Sequence, residues 1–282
     1  MTQTDGVSGT KETAFRPHSS ANCHDFPGDR RRLVIEASSI PHLGFQLAGV
    51  VGRHILMKIS PERRLRRTWE LVRTEYEPST NNRDEVATYL LPDNGKVILV
   101  HDRLERGYEY VSKVFDSCIQ DLGPDVSKIL EIGCGEGYFL KHIKQNAPEK
   151  DVCGIDLCPN RIRKTVRRAG TVEILPSIAC AEMLPFADES FDVAYTCYAL
   201  EQMPLSVGPA LKEMHRVVRK GIVLVEPFYS IQNVFGRLNN WSSDYVRDIP
   251  LHVERNGFRI TATKRLHFGD PINLAGLLVA RK

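Results

Sequence analysis

Residues 129–137 read Ile129-Leu130-Glu131-Ile132-Gly133-Cys134-Gly135-Glu136-Gly137. Ile129, Leu130 and Ile132 suit a buried strand, and glycines at 133, 135 and 137 follow at once. Tyr138, Phe139, Leu140 and Ile143 then open a helical pattern. A strand that ends in glycines and turns into a helix lets a ligand approach the main chain and aims free N–H groups at it. The spacing places Glu131 inside that turn. A carboxylate there repels a pyrophosphate and suits a ligand bearing an ammonium or sulfonium group.

Outward from this run, the chain alternates short apolar stretches with helical patterns, which implies a parallel sheet built from βαβ units. The first five strands are expected at 128–132, 151–155, 173–179, 191–196 and 222–225. Pro176 cannot donate to a ladder, so the third strand belongs at a sheet edge. Two last strands, 258–267 and 273–280, are joined by Gly269-Asp270-Pro271-Ile272. That link is too short for a crossover, so the pair is antiparallel. Helices are expected at 101–122, where Leu104, Tyr108, Val111, Phe115 and Cys118 form one stripe, and at 137–145. Others run from Pro159 to Gly170, before strand five with Leu211, Met214 and Val218 inward, and near 245–256. Asp156 ends strand two, 19 residues after Gly137, where a carboxylate can accept both hydroxyls of a ribose.

Residues 1–31 are polar and lack an apolar period, so they read as a flexible tail. Residues 32–102 form an N-terminal extension, a lid or substrate-binding region. It has a helix after Ser60-Pro61, with Leu65, Trp69, Val72 and Tyr76 in register, and two strands around Pro92-Asp93-Asn94-Gly95. Residues 103–282 hold the ligand-binding domain. The net charge of +3 is too small to imply a polyanionic partner. Seven cysteines without a CxxC pair read as reduced thiols rather than a metal site. The stretch from Leu43 to Ile59 is broken by Gln46, Arg53, His54 and Lys58, so no membrane span is expected. Without a leader pattern the expected location is the cytoplasm.

Four blocks in order resemble class I S-adenosylmethionine-dependent methyltransferases of the small-molecule branch. They are Leu130–Gly137, Gly154-Ile155-Asp156, Ala181–Asp192 and Leu211–Gly221, and the resemblance covers residues 103–282. It implies a Rossmann-like α/β fold with a seven-stranded, mostly parallel sheet in the order 3-2-1-4-5-7-6. It implies S-adenosyl-L-methionine as cofactor, held by Glu131, Gly133, Gly135, Gly137, Asp156, Leu157, Ala181, Glu182 and Cys197. It also implies methyl transfer to a small-molecule metabolite or natural product. Two positions depart from the family: Cys180 stands where Asp is common near the adenine, and Gln202 where His is common. A thiol is a poor acceptor.

Thr196, Cys197 and Tyr198 are expected to face cofactor and substrate, and Tyr108 to cap the cofactor's amino-acid end. The aromatics Phe228, Tyr229, Phe235, Trp241 and Tyr245 form either a substrate wall or a lid anchored on the core, with Glu226 or Tyr229 as a polar handle. His215 reads as structural, and His252 and His267 are candidate bases. No catalytic residue is assigned. An RNA methyltransferase is the alternative, since residues 1–75 hold 12 Lys/Arg against 8 Asp/Glu, with arginines concentrated at 63–67. A second alternative is a methyltransferase-like protein that binds without catalysis. DNA is not expected as a partner.

Overall fold

Alternation along residues 128–132 divides the interior into two layers. Ile129 points into one apolar cluster and Leu130 and Ile132 into the other, because successive strand side chains leave opposite faces of a sheet. A computed structural model describes residues 33–35, 48, 86–93 and 96–282. The 1–31 tail, the helix expected after Ser60-Pro61, the 63–67 arginines and most of the 43–59 stretch lie outside the described residues.

In chain order the strands are β1 (Leu33–Ile35), β2 (Val86–Asp93), β3 (Lys96–Arg103), β4 (Lys128–Ile132), β5 (Asp151–Asp156), β6 (Leu175–Ile178), β7 (Phe191–Cys197), β8 (Val218–Glu226), β9 (Arg259–Asp270) and β10 (Asn273–Arg281). The helices are α1 (Leu104–Leu122), α2 (Tyr138–Asn146), α3 (Pro159–Ala169), α4 (Val207–Val217), α5 (Val234–Ser242) and α6 (Ile249–Arg255). Within the sheet, β6-β5-β4-β7-β8-β10-β9 run side by side. This is the 3-2-1-4-5-7-6 order expected from the sequence. Parallel pairs join β6 through β8, and β10 is antiparallel to both β8 and β9. The strand carrying Pro176 lies at one edge, as its missing N–H requires.

The sheet is wider than the seven strands expected. The hairpin β2–β3, in register from Val86↔Arg103 to Asp93↔Lys96, joins the far edge through Leu90↔Gly269, and β1 pairs in parallel with β3. The described sheet therefore has ten strands. Tyr89 on β2 and Tyr110 on α1 both meet Phe268 of β9, with centroids at 6.2 and 5.9 Å. Burial of these rings ties the hairpin to the domain.

Helix α1 lays Val111, Phe115 and Cys118 fully buried against the sheet, where Phe115 meets Phe139 of α2 and Tyr195 of β7. On the other face, Leu211, Met214 and Val217 of α4 pack with Val253 of α6. Val218, expected on α4, instead begins β8. Helix α5 was not anticipated, and its composition explains why. Its buried residues are Gly236, Asn239, Asn240 and Ser242, while Val234 and Phe235 face outward. The Asn233 side chain caps it by accepting from Gly236 N at 2.8 Å, and the Asn240 amide donates to Pro227 O at 3.0 Å. Polar residues inside and apolar ones outside defeat a reading based on amphipathic period.

Asp192 fastens the start of β4 to its neighbours. One carboxylate oxygen accepts from Ser127 N, Ser127 Oγ and Lys128 N, and the other meets Arg219 on β8. Burial alone would raise its pKa, but these donors together hold it at about 2. Its stabilisation is therefore present above the ordinary aspartate pKa and is lost as pH falls through about 2. Asp192→Asn is expected to cost about 2.5 kcal/mol near neutral pH, read by urea unfolding, with the loss shrinking below pH 4.

Candidate functional site

The turn after β4 is built by one carboxylate. Asp156 Oδ2 accepts from Gly135 N at 2.9 Å, and Asp156 Oδ1 accepts from Cys158 N at 2.8 Å, just ahead of α3. Thr165 on α3 donates its hydroxyl to Gly135 O at 2.9 Å. Gly133 and Gly137 adopt φ of 71° and 76°, a region costly for residues with a Cβ. A Cβ on Gly133 would come within 2.6 Å of Ala199 Cβ, and one on Gly137 within 2.5 Å of Thr165 Cγ2. These glycines allow the turn to nest between α3 and the segment after β7.

A cleft of about 430 Å³ opens beside this turn, at the carboxyl ends of β4, β5 and β7. In open α/β sheets this is the crevice that takes ligands. Of the residues expected to hold a cofactor, Gly133, Asp156, Leu157, Ala181 and Glu182 line it. Glu131, Gly135, Gly137 and Cys197 do not. Gly135 and Gly137 shape the turn from behind. Glu131 belongs to β4 and not to the turn, is buried, and accepts from Tyr195 Oη at 2.7 Å. Desolvation, opposed by that bond and assisted by the charge of Asp156, pushes its carboxyl up to about 8. Cys197 ends β7 half-buried, and burial together with the charge of Glu131 raises its thiol.

The other wall follows β7. Tyr198 and Gln202 line the cleft, with Met203, Leu205 and Ser206 beyond them. Tyr198 is non-glycine with φ of 54°, and its hydroxyl donates at 2.9 Å to O of Asn273, the first residue of β10. Such a conformation persists where surroundings over-determine it, often at functional sites. Cys180 also lines the cleft, and the Ser206 hydroxyl hydrogen-bonds the Glu182 carboxylate across its mouth. Arg161 was missed in the sequence. It stands on the first turn of α3, five residues after Asp156, and its cation reaches the cleft. Its place on the helix that follows the acidic strand end was the available signal.

Tyr108 stacks on Tyr138 with centroids 5.3 Å apart, and Arg168 lies 3.4 Å over the other partner of that stack, Tyr138. Burial, then Cys197 and Glu131, raise the Tyr108 phenol. Thr196 and Glu226 are fully buried and bonded to each other, so neither faces the cleft. Phe228 is a core residue, whereas Phe235 is exposed. Among the described residues, His215, His252 and His267 do not line the cleft. His215 packs edge-on against Phe258 at 5.0 Å.

Comparison with known proteins agrees with this arrangement. Residues 130–225 match the family described as "Methyltransferase domain". That match spans β4 to β8 and the glycine turn between them. Over 137 residues it is 28% identical to the malonyl-[acyl-carrier protein] O-methyltransferase of Hahella chejuensis, covering 49% of this chain and 46% of that protein. Over 98 residues it is 32% identical to the demethylmenaquinone methyltransferase of Roseiflexus castenholzii, covering 35% of this chain and 41% of that one. The chain thus spans less than half the length of these relatives. The fold is shared with the magnesium protoporphyrin IX methyltransferase of Synechocystis PCC 6803, crystallised with bound SAH. The TM-score is 0.51 at 13% identity, over 63% of this chain and 84% of that one.

The buried carboxyl of Glu131 makes a stability prediction. Because the Glu131 pKa stands near 8 in the folded chain and near 4.3 when unfolded, its contribution is greatest below about pH 4 and is lost as pH rises through 8. Glu131→Gln is expected to flatten the fall in unfolding free energy between pH 5 and 9, measured by urea titration. An unchanged slope would contradict this assignment.

Proposed function

We propose that the cleft binds S-adenosyl-L-methionine and that the protein transfers its methyl group to a small-molecule acceptor. The observation that carries this reading is the coupling of Asp156 to the glycine turn, with both groups presented to one cleft of about 430 Å³. The residues present fit the cofactor. Asp156 lies at the strand tip where a carboxylate meets a ribose, and each of its oxygens keeps a lone pair beyond the backbone bond it already accepts. Glu131 places a buried carboxyl beneath Gly133, whose ionised form a bound ammonium group would favour. Ala181 and Glu182 lie on the wall that the resemblance assigns to adenine, and Cys180 adds no strong acceptor there.

When bound, the cofactor supplies a methyl group already activated on a sulfonium. The chain's own part is to hold the acceptor in line and exclude water. Ile155, Leu157, Ala179, Met203 and Leu205 provide apolar lining for that purpose. Among the described residues no histidine lines the cleft, so what they contribute is positioning. The matched relatives, by name, methylate an acyl-carrier-linked malonyl group and a quinone precursor. Their acceptors support a small-molecule substrate without fixing which one. The N-terminal extension, 32–102, is the segment to which acceptor selection is assigned, as a lid or substrate-binding region.

Isothermal calorimetry with S-adenosylhomocysteine and with NAD tests the reading. Binding of the first and not the second is expected, with Asp156→Ala weakening it at least tenfold. Binding of NAD alone would overturn the proposal. Because Glu131 titrates near 8, a cationic group that favours its charged form should release protons on binding near pH 7. Calorimetry in two buffers of different ionisation enthalpy reads that release, and Glu131→Gln should remove it.

A further inference from the structure

Behind the cleft wall lies a second pair of buried carboxyls that the proposed reaction does not use. Glu226 ends β8 with no exposure. Its Oε1 accepts from the Thr196 hydroxyl at 2.5 Å and from Ala199 N and Leu200 N, both at 3.1 Å. Its Oε2 accepts from Glu201 N at 3.3 Å. Four donors thus converge on this one carboxylate. Glu201 is buried, and its own N–H is the one that Glu226 Oε2 accepts, which brings the two residues together. Its Oε1 accepts only a 3.2 Å bond from the Gln202 amide, and no donor reaches its Oε2.

Two ionised carboxylates in contact in a dry interior are strongly unfavourable, so such a pair keeps one proton. Burial and the charge of Glu226 both raise the Glu201 carboxyl well above the usual range. The neighbours do not relieve it. Cys197 on β7 and Tyr198 in the wall are themselves raised by Glu201 and Glu226. Asp270 of β9 adds negative charge at Tyr198, and Val246 N of the α5–α6 link donates to the Glu201 carbonyl at 2.9 Å. The proton therefore belongs on Glu201, where it can be donated to Glu226.

The atoms this pair holds are those of the cleft wall. Ala199, whose N–H is gripped by Glu226, is the residue against which Gly133 nests. Tyr198 and Gln202 line the cleft, and the Gln202 amide bonds both Tyr198 O at 2.8 Å and Glu201. We propose that Glu226 is the positioning residue of the cleft wall from Tyr198 to Gln202 and that Glu201 is its proton-carrying partner, so that the ligand-competent wall requires one shared proton. Loss of that proton places two anions behind the wall and loosens Ala199 from the glycine turn. The ligand part of this proposal rests on the reading given under Proposed function. The proton-sharing part does not.

Two measurements on the full chain test it. Infrared spectra at about pH 9, where Glu131 is mostly ionised, should show the C=O stretch of a protonated carboxylic acid that disappears in Glu201→Gln. A spectrum without that band, or a band that survives the substitution, overturns the proton assignment whether or not any ligand binds. Calorimetry with S-adenosylhomocysteine should show affinity falling on the alkaline side in the natural chain. Glu201→Gln, whose amide donates permanently, should abolish that decline, and Glu226→Gln should weaken binding at least tenfold at every pH. An alkaline decline unchanged in Glu201→Gln, or natural affinity in Glu226→Gln, overturns the positioning role. If no variant binds S-adenosylhomocysteine, the proposed function fails with the positioning role, and the infrared band still decides the proton assignment.

Discussion

The site depends on the contact between Asp156 and the amide of Gly135. One buried carboxylate at the end of β5 fixes the turn after β4 and, through Cys158, the start of α3. Two crossovers of the sheet are thereby set against each other at the point where the cleft opens. Thr165 closes the same loop from α3 by bonding Gly135 O. A charge-assisted bond to backbone N–H is among the stronger polar interactions available in an interior. It also keeps lone pairs of the carboxylate available to a ligand, so the group that shapes the cleft is the group presented to its occupant.

A second carboxylate does the corresponding work on the opposite wall. Glu226 gathers the amides that follow β7, much as Asp156 gathers one that follows β4 and one that follows β5. Both sit at carboxyl ends of strands, where main-chain N–H groups of the next segment lack sheet partners. Ala199 meets Gly133 where the two systems touch. The cleft is thus bounded by two carboxylate-organised turns, with the buried carboxyl of Glu131 beneath them and Arg161 in its lining.

Much of this was legible in the sequence, and the remainder was not for physical reasons. The glycine spacing at 133, 135 and 137, the apolar runs and the short Gly269–Ile272 link specify a mostly parallel sheet with an antiparallel end, because each constrains the backbone locally, while the strand order followed from the family resemblance. Asp156 was legible from its distance to the glycines. The sequence reading set Glu131 in the turn, whereas it completes the buried pattern of β4, because a charged residue among apolar ones does not announce which side of a turn it occupies. Helix α5 was hidden by its polar inner face. Glu201 and Glu226 pair across 25 residues of chain, a relation that only the folded sheet creates. The widening of the sheet by β2 and β3 rests on the pairing Leu90↔Gly269 and on ring contacts at Phe268, neither of which leaves a local signature.

The most direct measurement is a crystal structure of the chain soaked with S-adenosylhomocysteine. The account predicts ligand density in the cleft between Gly133 and Gln202, with ribose hydroxyls on Asp156 and the Gly135–Asp156 bond kept. Density elsewhere, or a ligand in the cleft that leaves Asp156 untouched, would contradict it.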